Sequence, residues 1–452
     1  MTTLDTDTIV AVATPPGQGG IGVVRLSGPQ SSDISGVLCS VLGGKPATPR
    51  LAQRVSLHYD GEAIDDGLLL YFPGPNSFTG EDVVEFQLHG SPITLQRTLD
   101  ACRASGARLA RPGEFSERAF LNNKIDLVQA EAIADLIASA SQGAARAAVR
   151  ALSGEFSNHV GSLVAKTERM RILVEATIDF PEEEEDFLAR YSIPQQLASL
   201  QVELAELLAK SGRGKTINEG IAVALIGAPN AGKSSLLNRL AGEDAAIVTD
   251  IPGTTRDLLK VDLVLNDLPV RLVDTAGLRE TEDPVEREGV SRARTEARRA
   301  DVIVCLVDAT AQNWARAYER LLEMAGLAES VESPVLVPVI NKCDLISQPV
   351  ESDFLPISAK TGTGVELLIE TVRRCVGLTS ESTDFTARQR HIDALKVASE
   401  HLDTAVETVP NAQLELLAEE LRETHNALGE IVGKTTPDEL LGKIFSEFCI
   451  GK

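Results

Sequence analysis

The chain has 452 residues, a formal net charge of −23 and apolar side chains at 43% of its positions. A single hydrophobic core rarely supports this length, so we expect two or three domains. General nucleic-acid coats are basic, so the acidic balance argues against that class and leaves room only for RNA bound at a local basic patch. Two runs are candidates, although such runs are more often solvated surface: Arg103, Arg108, Arg111 and Arg118, and Arg292, Arg294, Arg298 and Arg299.

The cysteines and the apolar runs favour a cytoplasmic protein. The six cysteines form no CxxC pairs and have no histidine clusters beside them, so neither a disulfide framework nor a zinc site is expected. The first residues lack the basic region and apolar core of a signal peptide. No run reaches about 18 uncharged apolar residues, so we expect no membrane-spanning helix and no membrane partner.

The first 120 residues predict an α+β domain. Two short strands are expected within 8–27, on either side of a Pro/Gly turn. Further strands are predicted at 53–59, 66–72 and 82–88, with a helix at 93–104. From residue 125 the apolar positions take the period of a helix. Helices are then predicted at 160–178 and 195–210 and, much later, at 387–406, 412–431 and 437–448.

Between residues 221 and 376, strand and helix signals alternate, which is typical of a parallel α/β unit. Helical segments flank this unit on both sides, and amphipathic helices must bury their apolar stripes, so the two flanks should pack together. We therefore predict a multidomain α+β protein. It has an N-terminal α+β domain at 1–120, a discontinuous all-α domain at 121–216 and 381–452, and an inserted α/β domain at 217–380.

A phosphate-binding loop opens the inserted domain. Residues 227–234 read GAPNAGKS and fit the pattern G-x-x-x-x-G-K-[ST], after an apolar strand and before a helical segment. The glycines let backbone amides curl around phosphates, and the helix N-terminus adds a partial positive charge. Lys233 should reach the β- and γ-phosphates, and Ser234 should bind Mg²⁺.

Three further motifs follow in the order of a guanine-nucleotide site. Asp274 and Gly277 frame a DxxG motif, which places an acid near Mg²⁺ and an amide near the γ-phosphate. Residues 341–344 read NKCD, and their aspartate can accept both N–H donors of guanine, which adenine cannot supply. Residues 358–360 read SAK, whose backbone can contact the guanine O6. The four motifs together predict a Ras-like P-loop G domain that selects GTP over ATP.

The residues that carry hydrolysis are less clear from the motifs. The position after the DxxG glycine, where Ras-like enzymes hold a water-orienting glutamine, is Leu278, which cannot hydrogen-bond water. Spacing alone does not choose among the nearby acids. The segment TDIPGTTRD at 249–257 is the candidate for the first switch loop, which orders around a γ-phosphate. The acidic residues that remain candidates for orienting the attacking water are Glu280, Glu282, Asp283, Glu286 and Glu288.

These motifs together resemble the bacterial tRNA-modification GTPase family (MnmE, also called TrmE). The matching segments in the G domain are NAGKSS, TDIPGTTRD and DTAGLRE. Outside it they are TIVAVATPPGQGGIGVVRLSG, PNSFTGEDVVEFQLHG, RPGEFSERAFLNNKIDLVQAEAI and the terminal CIGK. The resemblance covers essentially the whole chain, and the terminal motifs are more specific than the G motifs, which fit many translation-factor-like GTPases.

The resemblance implies a role in tRNA modification. Members of this family act with a flavin-dependent partner (MnmG, also called GidA), in a heterotetramer-type complex, on the wobble uridine of tRNA. They install a carboxymethylaminomethyl or aminomethyl group, whose one-carbon unit comes from a reduced folate such as 5-formyl- or methylene-tetrahydrofolate. The N-terminal domain would bind the folate and form the homodimer. Two G domains would meet when GTP and K⁺ are bound, which activates hydrolysis.

Carried onto this sequence, the resemblance implies a K⁺ site and a catalytic glutamate. K⁺ would be bound by Asn230, Thr249, Ile251 and Thr254, and Mg²⁺ by Ser234 and Thr255; Glu286 would orient the attacking water. The residues implied for GTP are Asn230, Ala231, Gly232, Lys233, Ser234, Ser235, Thr249, Asp250, Ile251, Pro252, Gly253, Thr254, Thr255, Asp274, Thr275, Ala276, Gly277, Asn341, Lys342, Asp344, Ser358, Ala359 and Lys360.

For the folate, the resemblance implies Arg25, Glu85, Lys124 and Lys452. This set is chemically reasonable, because a pterin needs a carboxylate for its N–H edge and a glutamate tail needs cations. Cys449 matches a family cysteine near the folate, either as a functional thiol or as a small buried one. Two other functions remain open: a GTPase of ribosome assembly, and a folate-dependent one-carbon transferase that the G domain only regulates.

Overall fold

The computed structural model describes residues 7–39, 47–179, 191–244, 260–274, 295–327, 334–346, 350, 353–378, 385–409, 413–434 and 437–451. It divides into two compact units. The first holds the described residues of 1–134, 157–184 and 411–452, and the second those of 135–156 and 185–410. The domain limits drawn from the sequence stay a prediction.

The described residues of each unit form one six-stranded sheet. In the first unit the strands are β1 (Ile9–Val12), β2 (Gly19–Ser27), β3 (Gln53–Tyr59), β4 (Glu62–Phe72), β5 (Val83–Gly90) and β6 (Arg108–Leu109). In the second unit they are β7 (Ile221–Gly227), β8 (Lys260–Leu265), β9 (Leu268–Asp274), β10 (Val302–Asp308), β11 (Val335–Asn341) and β12 (Leu355–Pro356).

The described helices, in chain order, are α1 (Ser31–Leu38), α2 (Pro92–Ala104), α3 (Glu114–Leu121), α4 (Leu127–Ala138), α5 (Gln142–Leu152), α6 (Glu155–Asp179), α7 (Ile193–Glu219), α8 (Lys233–Asp244), α9 (Trp314–Ala325), α10 (Val365–Cys375), α11 (Gln389–Thr408), α12 (Leu414–Val432) and α13 (Asp438–Ser446). Among them, none combines the length and apolar character that crossing a membrane requires.

The first sheet has the order β3-β4-β5-β2-β1-β6. Its neighbours pair antiparallel except β1 and β6, which are parallel. Alternate residues of β2 and β5, such as Leu26 and Phe86, are buried in a core that α1 and α2 share through Ile34 and Leu95. The residues between them in sequence lie on the opposite face, which places Arg25 and Glu85 away from this core.

The second sheet has the order β12-β11-β10-β7-β9-β8, and among these described strands the β8–β9 pair alone is antiparallel. Its central strands are apolar runs buried on both faces, as expected of a parallel sheet covered by helices. The carboxyl ends of β7, β9, β10 and β11 therefore meet at one edge. This agrees with the α/β unit predicted from the alternating pattern, and the multidomain α+β fold class is confirmed.

The most informative difference from the sequence prediction lies in α7. The helix was expected to end at residue 210, yet it continues to Glu219 through a stretch rich in glycine and serine, residues that disfavour helices. Tertiary packing explains the extension. A Cβ added at Gly214 would lie 2.0 Å from the Phe385 carbonyl oxygen, and Ser211 is fully buried. The glycine therefore serves close packing within the second unit rather than helix termination.

Candidate functional site

The phosphate loop runs from the end of β7 at Gly227 to the start of α8 at Lys233. Asn230 and Gly232 adopt left-handed backbone conformations, with φ of 62° and 99°. A Cβ at Gly232 would lie 2.1 Å from the Asn341 side-chain nitrogen, so only glycine fits there. Asn230, Ser234 and Ser235 are exposed, which leaves their side chains available to a ligand.

The side chain of Lys233 folds back onto the start of the phosphate loop. Its Nζ donates to the carbonyl oxygens of Gly227, at 2.7 Å, and Ala228, at 3.2 Å. The ammonium is thus held beside the N-terminus of α8, where the helix dipole also attracts negative charge. This combination of a lysine, a tight loop and a helix N-terminus is suited to binding phosphate.

Asn341 connects the phosphate loop to the SAK segment. It ends β11 and is 1% exposed. Its amide nitrogen donates to the Ala231 carbonyl oxygen at 2.8 Å, and its amide oxygen accepts the Ala359 N–H at 2.9 Å. The first residue of the NKCD motif therefore holds two other motifs together, a role that the sequence interpretation missed because it requires the spatial arrangement.

Asp344 is held in place by the SAK segment. The Ser358 hydroxyl donates to one Asp344 carboxylate oxygen at 2.6 Å and accepts the Thr361 N–H at 3.1 Å. Ser358 is fully buried whereas Asp344 is exposed. One carboxylate oxygen is thereby fixed while the group faces solvent, which is what a residue that reads the N–H edge of guanine requires.

Asp308 is a member of this site that the sequence interpretation did not identify. It ends β10, next to β11, and its carboxylate accepts a hydrogen bond from Lys342 Nζ at 2.6 Å. Burial raises the pKa of Asp308, but the hydrogen bonds from Lys342 and Thr310 outweigh that effect and lower the pKa below its usual value. The signal was available: an acidic residue closes the apolar strand VIVCLVD.

Part of the expected nucleotide site lies outside the described residues. Asp274 ends β9, at the same edge of the sheet as Gly227 and Asn341, although its side chain is not among those described. The structure does bring together, around one edge, Ala231, Gly232, Lys233, Asn341, Lys342, Asp344, Ser358, Ala359 and Lys360. Outside the described residues are Thr249, Asp250, Ile251, Pro252, Gly253, Thr254, Thr255, Thr275, Ala276, Gly277 and Glu286.

Arg25, Glu85 and Lys124, three of the residues expected to bind folate, lie in the first unit. Arg25 and Glu85 are opposite each other across β2 and β5, and Arg25 Nε lies 2.8 Å from a Glu85 carboxylate oxygen. Arg25 also donates to the Gly451 carbonyl oxygen at 3.4 Å, and its guanidinium carbon lies 5.8 Å from the Phe115 ring centre. The C-terminal segment therefore reaches the open face of the first sheet.

Of the three remaining residues named from the sequence, the structure describes Lys124 and Cys449. Lys124 is exposed, and its stem passes close to Gly80, where an added Cβ would lie 3.1 Å from Lys124 Cε. Lys452 lies outside the described residues. Cys449 is exposed, so the alternative of a buried thiol at this position is wrong. Its carbonyl oxygen accepts the Gly113 N–H at 3.3 Å.

The candidate basic patch at 103–118 is not a surface of unpaired cations. Arg118 is 4% exposed and pairs with Asp7, Glu81 and Glu114, while Arg108 pairs with Asp7 and Glu114. Burial raises the pKa of Glu114, but the hydrogen bonds from Arg108 and the Arg111 backbone lower it to about 2. These charges neutralise one another.

Of the second candidate basic patch, at 292–299, Arg292 and Arg294 lie outside the described residues, and Arg298 donates to the Gly326 carbonyl oxygen.

Comparison with known proteins places both parts of the chain in one family. Residues 8–124 match the model of the GTP-binding protein TrmE N-terminus, and residues 127–449 match that of the MnmE helical domain. The chain is 50% identical to the tRNA modification GTPase MnmE of Stutzerimonas stutzeri, with 99% of each chain covered. The MnmE proteins of Legionella pneumophila strain Paris and Pseudomonas aeruginosa strain PAO1 are 47% and 48% identical, again with 99% of each chain covered. This chain therefore belongs to the tRNA modification GTPase family MnmE.

Proposed function

We propose that this chain binds and hydrolyses GTP in the modification of the wobble uridine of tRNA. One observation carries the nucleotide part: Asn341 joins the phosphate loop to the SAK segment, so phosphate and base recognition form one structure. Asp344, fixed by Ser358, adds selectivity for guanine because its carboxylate can accept from both N–H donors of that base. The family to which the chain belongs supplies the link to tRNA.

Two cations complete the proposed site. Ser234, exposed at the start of α8, would bind Mg²⁺ together with Thr255. Asn230, exposed and in a left-handed conformation at the mouth of the loop, would offer its amide oxygen to K⁺ together with Thr249, Ile251 and Thr254. A cation there neutralises charge that develops on the phosphates, as an arginine finger does.

Glu286 is the proposed catalytic residue. Leu278 replaces the usual water-orienting glutamine, so another acceptor must position the attacking water. Glu286 lies within DPVEREG, the segment that resembles the family's water-orienting motif. Glu286→Ala should slow hydrolysis about a hundredfold while leaving GTP affinity nearly unchanged, since the residue acts on water rather than on the nucleotide. A parallel loss of affinity would make Glu286 structural.

The first unit is the proposed folate site. Glu85 offers a carboxylate to the N–H edge of a pterin, and Arg25, Lys124 and Lys452 offer cations to a glutamate tail. The bound folate supplies the one-carbon unit. We further propose a homodimer through residues 1–120, a helical domain at 121–216 and 381–452, and a G domain at 217–380. The protein would act in the cytoplasm with the flavin-dependent partner MnmG.

Nucleotide preference tests the core of this proposal. The purified protein should bind GTP at least about a hundredfold more tightly than ATP, because adenine leaves Asp344 without donors. Asp344→Asn should weaken GTP binding and favour xanthosine triphosphate, whose 2-oxo group accepts the hydrogen bond that an amide donates. Equal affinity of the wild-type protein for GTP and ATP would refute the GTP function.

Two further measurements test the cations and the tRNA product. Hydrolysis in K⁺ should exceed hydrolysis in Na⁺ by more than about tenfold at equal ionic strength, and equal rates would count against the Asn230 site.

Mass spectrometry of tRNA from cells that lack the protein should show wobble uridines without the carboxymethylaminomethyl or aminomethyl group. Normal wobble uridines in those cells would instead favour a role in ribosome assembly.

A further inference from the structure

Arg239 forms a second connection between the phosphate-binding helix and the SAK segment. It lies on α8, six residues after Lys233, and is partly buried. Its Nε donates to the Ala359 carbonyl oxygen at 3.3 Å, and its Nη2 donates to the Lys360 carbonyl oxygen at 2.5 Å. A single guanidinium therefore holds two successive peptide carbonyls of the base-recognition segment.

These contacts fix the direction of a backbone amide. In a trans peptide the C=O and the following N–H point in opposite directions within one rigid plane. Arg239 attracts the Ala359 carbonyl oxygen, so it turns the Lys360 N–H away from itself. In the same way, holding the Lys360 carbonyl oxygen directs the Thr361 N–H, which donates to the Ser358 hydroxyl. The arginine thus orients two peptide planes from their carbonyl sides.

The other amides of this segment already have acceptors. The Ala359 N–H donates to Asn341 and the Thr361 N–H to Ser358. None of the residues that the structure describes accepts a hydrogen bond from the Lys360 N–H. It is therefore the amide of this segment that is available to a ligand, and an oxygen or an aromatic nitrogen of a ligand is a strong acceptor for it.

We propose that Arg239 is a positioning residue for base selection: it orients the Lys360 N–H to donate to the O6 of a guanine base. This inference rests on the proposed GTP function and assigns a residue that lies outside all four nucleotide motifs. The positioning role requires an arginine at this position, because the planar guanidinium donates to two carbonyl oxygens at once, whereas a lysine ammonium is a compact point charge.

The test compares GTP with 6-thio-GTP, which keeps the N–H donors read by Asp344 but replaces O6 with sulfur, a weak acceptor. The affinities of both nucleotides are measured for the full-length wild-type protein and for Arg239→Ala. Arg316→Ala is the matched control, because it removes an exposed arginine from α9. Arg239→Ala should weaken GTP binding about fivefold to tenfold and 6-thio-GTP binding by about twofold or less. The control should leave both affinities unchanged.

Arg239→Lys separates positioning from folding. It keeps the charge and most of the packing, so it should lose less GTP affinity than Arg239→Ala and again spare 6-thio-GTP. An equal loss for both nucleotides in either variant would mean that Arg239 only stabilises the domain, and the inference would fail. If Arg239→Ala bound GTP as tightly as the wild type does, the proposed positioning role would be overturned as well. The proposed GTP function is tested separately, by comparing GTP with ATP on the wild-type protein. Equal affinities there would refute the GTP function, whereas the Arg239 variants test only the positioning role.

Discussion

The nucleotide site and the N-terminal charge cluster use polar residues in opposite ways. At the nucleotide site, buried Asn341 and Ser358 are bonded to neighbouring segments, and the groups that would meet a ligand, such as Asn230 and Asp344, are exposed. In the N-terminal cluster, Glu114 and Arg118 are almost fully buried and satisfy each other. The first arrangement leaves polar groups exposed to a ligand, whereas in the second the polar groups are bonded to one another inside the protein.

This contrast explains why one sequence signal was informative and the other was not. A phosphate loop needs particular residues at fixed short spacings, because its backbone must bend around phosphates. A run of arginines has no such constraint. Its meaning depends on whether carboxylates from distant segments pair with it, and Asp7 lies 111 residues before Arg118. Basic runs should therefore be taken as nucleic-acid sites only after their partners are known.

The largest effect is expected from breaking the N-terminal cluster. Glu114→Gln leaves the two guanidinium groups of Arg108 and Arg118 without their buried partner, which should destabilise the first unit by about 3–5 kcal/mol. Calorimetry should show its unfolding midpoint lowered by roughly 10 °C. Glu117→Gln, a partly exposed neighbour on the same helix, serves as the control and should change little. Equal midpoints for Glu114→Gln and the wild type would show that the cluster does not stabilise this unit.

The same cluster should make stability depend on pH. The pKa of Glu114 is lowered to about 2 in the folded chain, from 4.5 in the unfolded chain. Its contribution is therefore fully present above about pH 4.5 and is lost as the pH falls toward 2. The difference in stability between the wild type and Glu114→Gln should shrink over that range. A constant difference between pH 6 and pH 3 would contradict the assigned charge pairing.

A smaller but sharper effect is expected at the phosphate loop. Gly232→Ala places a Cβ against the Asn341 side chain in a left-handed conformation, so it should weaken GTP binding about a hundredfold. Gly242→Ala on α8 is the control, because a Cβ there meets no atom of the described residues within 4 Å beyond the backbone of its own helix. If both variants bind GTP equally well, the close approach of Gly232 to Asn341 has no role in the site.

The smallest effect is expected at the proposed folate site. Glu85→Gln removes the negative charge that Arg25 faces across the strands, so affinity for 5-formyl-tetrahydrofolate should fall about tenfold. Glu62→Gln, which removes an exposed carboxylate of the same sheet, should leave the affinity unchanged. Isothermal titration calorimetry measures both. A Glu85→Gln variant with wild-type affinity would place the folate elsewhere.

Local and periodic features were determined by the sequence alone. The spacing of Gly227, Gly232 and Lys233 predicted the loop, and the alternation of strand and helix signals between residues 221 and 376 predicted the parallel α/β unit. The predicted strand at 53–59 coincides with β3. Such features depend on residues that are neighbours in the chain, so a linear pattern is sufficient to reveal them.

The tertiary structure decided which polar groups are available to ligands. It buried Arg118 among carboxylates, extended α7 past its glycines and used Asn341 and Arg239 to join segments that lie more than a hundred residues apart. Each of these outcomes depends on contacts between distant segments, and hydrogen bonding and burial at one residue are set by its partner. The sequence contains the partners, but only the folded chain shows which of them meet.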